Sequence, residues 1–158
     1  MNIFDNYTSS LLTELNRMEV HYLVVGDYAV NYYGYRKTTG DIDLWIKPEN
    51  GINKKKLLEA FENLGVEKSI LEQLEDKDFT KPVVFIDGEE PFKIDFMTFI
   101  SGVEFIEAWE MRTIAILDKI EIPFIHLNHL VQSKISTGRA KDTIDIEKLQ
   151  QILKLKNK

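Results

Sequence analysis

Three aspartates in this sequence have a spacing that suits the binding of a metal ion. Asp41 and Asp43 are separated by one residue in the apolar, β-prone stretch 41–46. Successive side chains of a strand point to opposite faces, so both carboxylates project from the face opposite to Ile42 and Leu44. Two carboxylates held side by side repel each other unless a cation lies between them. Isolated Asp-x-Asp pairs are also common on exposed strand faces and in turns, so the pair alone leaves both interpretations open.

Asp95 repeats the arrangement on a second predicted strand, residues 92–97, where Ile94 and Phe96 flank a single acid. If the two strands are neighbours, three carboxylates converge on one point. Such a cluster suits one or two magnesium ions, which prefer carboxylate and triphosphate oxygens to an all-protein cage. The chain has no cysteine, so disulfides, thiolate zinc sites and thiol nucleophiles are excluded.

The elements that must position these acids are strands and helices along the chain. The pattern predicts a first helix after Ser9 and Ser10, which would cap it, with Leu11 and Leu15 on its apolar face. Strands are predicted at 21–25, 41–46, 83–86, 92–97, 113–117 and 119–122, and further helices at 27–33, around 57–64, and at 103–109, 126–135 and 141–155. A turn-rich stretch, 87–91, joins two strands into a predicted hairpin. The lysines that precede the 57–64 helix are predicted to be solvated.

Length and composition predict one domain and no membrane span. The 158 residues are 44% hydrophobic, enough to bury a substantial core. The longest apolar runs are far shorter than a membrane span, and the polar, acidic N-terminus lacks the order of a secretion signal, so we expect a cytoplasmic protein. The formal charge of -6 argues against a broad surface for nucleic acid, although a locally basic acceptor site is compatible with it.

The segment before the paired acids carries a family resemblance. Residues 24–26 (VVG) are followed by Asp27, thirteen further residues and the sequence DIDL at 41–44. This resembles the signature of the DNA polymerase β-type nucleotidyltransferase superfamily. In that family a strand ends in Gly followed by Gly or Ser, and the helix that starts there holds a triphosphate at its positive end. The paired acids lie on the next strand.

The resemblance extends further along the chain. It includes Arg36, Thr38 or Thr39, the third acid Asp95, and the stretch 134–142, KISTGRAKD. That stretch resembles small stand-alone bacterial members of the superfamily, including toxin-type transferases of toxin–antitoxin pairs. The resemblance implies an α+β nucleotidyltransferase fold, with a mixed, mostly antiparallel sheet flanked by helices. It implies a single domain over residues 1–158, with a core of about 4–122 and a C-terminal helical segment of about 126–155.

The resemblance also implies roles for particular residues. The implied catalytic and metal-binding residues are Asp41, Asp43 and Asp95, with Asp95 as general base. The implied nucleotide-binding residues are Gly26, Asp27, Arg36, Thr39 and Lys134.

Several cations are candidates for neutralising phosphate charge, with Lys134 favoured among them: Arg36, Lys37, Lys134, Arg139 and Lys141. A cation at a helix end is also favoured by the helix dipole, which is an equally good account of Lys134. Asp142 and Asp145 are interpreted as structural acids able to pair with Arg139. Four tyrosines crowd the same region, where they either pack or stack on a nucleobase: Tyr28, Tyr32, Tyr33 and Tyr35.

Asp27 departs from the family pattern, which has Gly or Ser at this position. Its carboxylate either turns back onto backbone N–H groups as a helix N-cap, or faces the triphosphate and repels it. The first interpretation leaves the site intact. The second corresponds to an altered or lost activity.

The resemblance implies a magnesium-dependent transfer of a nucleoside monophosphate from a nucleoside triphosphate to an acceptor hydroxyl, with two magnesium ions. The acceptor is left open among a tRNA end, a protein and a small molecule, and an antitoxin is a further implied partner. One alternative is an inactive protein of the same fold that binds a nucleotide or a partner. Another is an unrelated α/β domain with surface acids.

Overall fold

Six strands form one mixed sheet in the computed structural model, which describes residues 4–35, 41–88 and 93–156. The strands are β1 (Tyr22–Val25), β2 (Ile42–Ile46), β3 (Val84–Asp87), β4 (Ile94–Met97), β5 (Thr113–Leu117) and β6 (Ile120–Phe124). Their order is β3-β4-β2-β1-β6-β5. β1 and β2, β3 and β4, and β5 and β6 pair antiparallel, whereas β1 and β6, and β2 and β4, pair parallel. The predicted hairpin and the mostly antiparallel sheet are confirmed.

Seven α-helices flank this sheet within the described ranges. They are α1 (Asn6–Arg17), α2 (Gly26–Tyr33), α3 (Ile52–Asn63), α4 (Lys68–Glu75), α5 (Phe105–Glu110), α6 (Leu127–Thr137) and α7 (Thr143–Lys156). A short 3-10 turn, Ala140–Asp142, joins the last two. No helix in the described part of the chain has both the length and the apolar character needed to cross a membrane.

The start of α1 differs from the sequence prediction. The helix begins at Asn6, and its N-cap is Asp5, whose side chain accepts a hydrogen bond from the backbone N–H of Thr8 at 3.1 Å. Ser9 and Ser10 lie inside the first turns instead of capping them. An aspartate four residues upstream satisfies the free N–H groups of the helix equally well, and the longer helix keeps Leu11 and Leu15 buried.

The central strand β1 is buried along its whole length and leads straight into α2. Its neighbours β2 and β6 are buried at most positions, so the middle of the sheet is covered on both faces. A continuous apolar run suits such a position, because neither face needs polar residues. The turn from β1 into α2 therefore lies at the end of a fully buried central strand.

The prediction that the lysines before residue 57 are solvated is wrong for Lys54, whose side chain is buried. Its Nζ donates to the backbone carbonyl oxygens of Glu75, at 2.8 Å, and Lys77, and lies 4.6 Å from the centre of the Phe79 ring. These carbonyls belong to the end of α4, where free C=O groups attract a cation. Lys54 thereby ties α3 to the end of α4.

Candidate functional site

The three acids of the predicted site lie where β1, β2 and β4 meet at one edge of the sheet. Val25 on β1 is paired with Asp43 on β2, and Asp43 is paired with Asp95 on β4. Residues paired across neighbouring strands share a face of the sheet, so the Asp43 and Asp95 side chains are neighbours. Asp41 immediately precedes β2 and follows the same alternation. The predicted adjacency of the two acid-bearing strands is confirmed.

Gly26 brings backbone directly against the Asp43 carboxylate. It is the first residue of α2 and has a φ of 68°, a conformation that favours glycine. A Cβ atom at this position would lie 2.0 Å from Asp43 Oδ2, far inside van der Waals contact. The start of α2 therefore sits on the acid cluster only because residue 26 has no side chain.

Asp27 occupies the first turn of α2 and not its N-cap. The N-cap is Val25, and it makes no side-chain capping hydrogen bond. The prediction that Asp27 is the N-cap residue is thus wrong, because β1 leads into the helix at Gly26, one residue earlier than the sequence indicated. The direction of its carboxylate stays a prediction. The charge of Asp27 contributes to raising the pKa of Asp43. Asp27 is therefore a fourth acid of the same cluster.

The Asp43 carboxyl has an unusual tendency to hold a proton. Burial is the largest cause that raises its pKa, to about 7, followed by the charge of Asp95 and a hydrogen bond with it. The charges of Asp27 and Asp41 raise this pKa further. Several carboxyls that share a small, partly buried volume cannot all be ionised without a compensating cation.

Lys93 is a residue of this site that the sequence interpretation missed. Its Nζ lies 3.7 Å from Asp41 Oδ2 and 3.9 Å from Asp95 Oδ1, and its side chain is only 26% exposed. The signal was present in the sequence, because Lys93 precedes Asp95 by two residues and must share its face of the strand. An ammonium group therefore bridges two of the three acids.

The donor atoms at this edge of the sheet fit a hard cation such as magnesium. Carboxylate oxygens are the ligands it prefers, and Asp95 Oδ1 is a buried oxygen with no hydrogen-bond donor among the described residues. Their present orientation is different: within the described ranges, no three His, Cys, Asp or Glu side chains are arranged to hold a metal ion. The backbone brings the acids together, while Asp43 interacts with Asp95, and Lys93 bridges Asp41 and Asp95.

For the other predicted nucleotide-binding residues, the described part of the chain gives no contact with this acid cluster. Arg36, Lys37, Thr38 and Thr39 lie outside the described residues. Lys134 lies on α6, where its side chain is 9% exposed.

The Lys134 ammonium forms ion pairs within its own segment. Its Nζ lies 3.4 Å from Asp142 Oδ1 and 3.1 Å from Asp145 Oδ2. Arg139 Nε donates to Asp142 Oδ2 at 2.8 Å, which confirms the predicted pairing of these two residues. The contact of Lys134 with phosphate stays a prediction, and the observed interactions link α6 to α7.

All four tyrosines near the site are engaged in packing, and Tyr35 packs against the hydrophobic core. The Tyr28 ring stacks on Phe4 at 5.8 Å, and the Tyr32 ring stacks on Phe124 at 4.3 Å. The Tyr33 hydroxyl donates to the carbonyl oxygen of Ile125 at 2.6 Å. Of the two interpretations of this tyrosine cluster, these contacts favour packing.

Comparisons with known proteins concern the family and the fold of the chain. A family model described as "Nucleotidyltransferase of unknown function (DUF6036)" matches residues 1–156. No curated protein matches the chain. The structure is similar to that of the lincosamide antibiotic adenylyltransferase LnuA with lincomycin bound, with a TM-score of 0.53, 15% identity, and coverage of 96% of this chain and 99% of that one.

A second similar structure is that of a candidate nucleotidyltransferase, TM1012 of Thermotoga maritima. Its TM-score is 0.56 at 12% identity, with coverage of 92% of this chain and 91% of the other. At such identities the similarity establishes the fold, and the family model covers nearly the whole sequence. The chain therefore belongs to this nucleotidyltransferase family.

Proposed function

We propose that the protein is a metal-dependent nucleotidyltransferase that moves a nucleoside monophosphate from a nucleoside triphosphate to an acceptor hydroxyl. The observation that carries this proposal is the contact of Gly26, at the start of α2, with Asp43, which is paired with Asp95. Backbone N–H groups at a helix start attract phosphate, and carboxylates beside them attract the cation that phosphate shares. Membership of the family supports nucleotide transfer in general.

The proposed reaction is an in-line displacement at the α-phosphorus. The acceptor oxygen forms a bond to the α-phosphorus while the bond between that phosphorus and the pyrophosphate oxygen breaks. The proton of the acceptor hydroxyl passes to a carboxylate, for which Asp95 is the candidate. Asp41, Asp43 and Asp95 would together hold one or two magnesium ions, which would neutralise phosphate charge and favour ionisation of the acceptor hydroxyl.

Charge favours a small acceptor over a long nucleic acid. The site contains four acids, Asp27, Asp41, Asp43 and Asp95, and the whole chain has a formal charge of -6. Tight binding of a nucleic acid needs clustered Lys and Arg. The structurally similar LnuA has lincomycin, a small molecule, bound. A tRNA end and a protein hydroxyl, with an antitoxin as partner, remain acceptors for the experiment to include.

The first experiment is a calorimetric titration of each of the four nucleoside triphosphates into the protein with magnesium. The control is the double variant Asp41→Ala plus Asp43→Ala. We expect magnesium-dependent binding that the double variant loses. Failure of every nucleotide to bind the wild-type protein would contradict the proposal.

The second experiment tests turnover with a nucleotide labelled at the α-phosphate and a panel of acceptors: total tRNA, candidate partner proteins and small hydroxyl-bearing antibiotics. We expect label on one acceptor class and release of pyrophosphate. Asp27 is the observation that favours the alternative, a non-catalytic binding protein, because its charge opposes that of a triphosphate. Nucleotide binding without turnover on any acceptor would support that alternative.

A further inference from the structure

Lys93 is the cation nearest to the acid cluster for which the structure gives distances, and its position has a consequence for metal binding. Its Nζ lies 3.7 Å from Asp41 Oδ2 and 3.9 Å from Asp95 Oδ1, so it stands between two acids from neighbouring strands. These are ion-pair distances too long for direct hydrogen bonds. The ammonium group acts there as a point charge shared by two carboxylates.

We propose that Lys93 is a built-in counterion that holds the acid cluster together before metal binds and must be displaced when metal enters. This inference rests on the proposed metal-dependent function. A divalent cation held by Asp41 and Asp95 would repel an ammonium group beside the same oxygens. The acids therefore have two arrangements. In one, Asp41 and Asp95 interact with Lys93, and in the other they bind metal.

In the structure, the acids have the arrangement in which they interact with Lys93. The described residues contain no group of three acids or histidines arranged to hold a metal ion, although the strand register makes Asp43 and Asp95 neighbours. Asp43 is hydrogen bonded with Asp95, and Lys93 bridges Asp95 and Asp41. The change of arrangement would take place in the side chains, since the strand register already makes Asp43 and Asp95 neighbours.

The flexible stem of Lys93 gives the displaced ammonium a place to go. Four methylene groups let the charge move by several ångströms without a change in the strand. A bound triphosphate brings new negative charge to the same edge of the sheet, and this charge would attract the displaced ammonium. Metal alone should then bind weakly, and metal with nucleotide should bind cooperatively.

The test measures the affinity for Mn²⁺ by calorimetry, without nucleotide and then with a non-hydrolysable nucleoside triphosphate. Lys93→Met keeps most of the side-chain volume and removes the charge. We expect it to bind Mn²⁺ alone about tenfold more tightly than the wild type, and to lose a similar factor of cooperativity between metal and nucleotide. Lys93→Arg keeps the charge and should behave like the wild type.

The matched control is Lys47→Met. Lys47 follows the opposite end of β2, roughly 20 Å away along the strand, and pairs with Glu49 at 3.5 Å with 39% of its side chain exposed. This variant changes the net charge by the same amount as Lys93→Met. The expected result is no change in the affinity for Mn²⁺.

A second readout is the melting temperature in metal-free buffer. Removal of the counterion takes a positive charge from between Asp41 and Asp95, so their repulsion increases. Lys93→Met should therefore melt several degrees below the wild type and regain that difference with Mn²⁺. If Lys93→Met does not fold, Lys93→Gln provides the same comparison, because its amide can donate to both carboxylates without a charge.

The outcomes separate this inference from the proposed function. If the wild type binds magnesium with nucleotide but Lys93→Met and Lys93→Gln bind Mn²⁺ no more tightly than Lys47→Met, the counterion role is wrong and the function stands. If no variant binds Mn²⁺ and the wild type binds no nucleotide, both are wrong.

Discussion

The contact between Gly26 and Asp43 restricts a single residue more severely than any other contact of the site. Gly26 needs a φ of 68°, and any Cβ atom there would overlap the Asp43 carboxylate. The two demands are independent: one concerns the backbone conformation, and the other concerns space beside an acid. Glycine satisfies both, which is why the strand can turn into a helix directly against the acid cluster.

Gly26→Ala should therefore lose both stability and nucleotide affinity. We expect a loss of about 1–2 kcal/mol from the left-handed conformation alone. Displacement of Asp43 should further weaken magnesium-dependent nucleotide binding at least about tenfold, or about 1.4 kcal/mol. Calorimetry and chemical denaturation measure the two effects.

Gly138→Ala is the matched control for that variant. Gly138 has a φ of 65°, nearly equal to that of Gly26, and a Cβ atom there would meet nothing within 4 Å. It should lose a similar amount of stability while retaining nucleotide affinity. Equal nucleotide affinity in both variants would show that the Gly26 contact has no part in binding.

Asp27 is the residue at which this chain departs from the family pattern, and its charge acts on the acid cluster. Asp27→Ser removes a negative charge from the first turn of α2, where a triphosphate would approach. We expect affinity for nucleotide with magnesium to rise about threefold to tenfold, because repulsion is relieved. Calorimetric titration measures the change, and Asp76→Ser, at an exposed acid, is the control for net charge.

Weaker binding by Asp27→Ser would show that Asp27 contributes to the site in this chain. In that case the acid itself would be a ligand or a positioning group.

Residue alternation along strands explains which parts of the site were predictable. The alternation of side chains along a strand predicts the face on which Asp41, Asp43 and Asp95 lie. The same alternation could have placed Lys93 on the face of Asp95. The sequence could not reveal that Lys93 bridges two strands, because that depends on the register between β2 and β4. Register is set by the whole sheet and not by any one strand.

At the scale of elements, the link between α6 and α7 is a buried cluster of charges. The side chains of Lys134, Asp142 and Asp145 are only 4–9% exposed. Burial alone would raise the pKa of Asp142, but hydrogen bonds from Thr137 and Arg139 and the charge of Lys134 hold that pKa at about 2. The ionised form of Asp142 is therefore the one that the fold stabilises.

Asp142→Asn should remove one of the two acids that pair with the buried Lys134 ammonium. Loss of one partner from such a pair costs about 3 kcal/mol, and for a chain of this size that lowers the melting temperature by about 6–12 °C. Glu147→Gln, at an exposed acid on the neighbouring helix α7, should change stability by no more than about 0.5 kcal/mol. Thermal denaturation at neutral pH compares them.

The same aspartate gives a pH dependence of known sign. A carboxyl whose folded pKa is lowered adds stability above its unfolded value of about 3.9, and that stability is lost as the pH falls towards 2. The wild type should therefore lose more stability than Asp142→Asn between pH 4 and pH 2. Parallel curves for the two proteins would contradict this assignment.

Most helices and strands were predictable from apolar spacing, because that spacing is a local pattern, but α4 was not among the predicted helices. Lys54 was not, since its burial depends on carbonyl groups at the end of another helix. The start of α1 was misplaced for a local reason: an aspartate and two serines are all good N-caps, and tertiary packing selects among them. Sequence pattern thus predicts elements better than it predicts the contacts between their ends.

For the molecule as a whole, the acid cluster opposes folding in the absence of a ligand. Four carboxyls meet in a partly buried site, and the raised pKa of Asp43 reflects the cost of burial first and then their mutual repulsion. A protein without use for a cation would gain stability by replacing one of them. The cluster is therefore expected to lower the stability of the empty protein and to raise the stability of the loaded one.

Asp43→Asn should separate these two effects. The amide keeps the shape of the side chain and a hydrogen bond to Asp95 while removing the charge, so without metal the variant should melt several degrees above the wild type. Saturation at about a hundred times the dissociation constant with magnesium and nucleotide should stabilise the wild type by about 2.7 kcal/mol, or about 5–10 °C. The variant should show almost no such shift, and Glu147→Gln, at an exposed acid, should follow the wild type in both conditions. A variant less stable than the wild type without metal would mean that the Asp43 charge supports the fold, which would remove the physical reason for regarding this cluster as a site kept for its ligand.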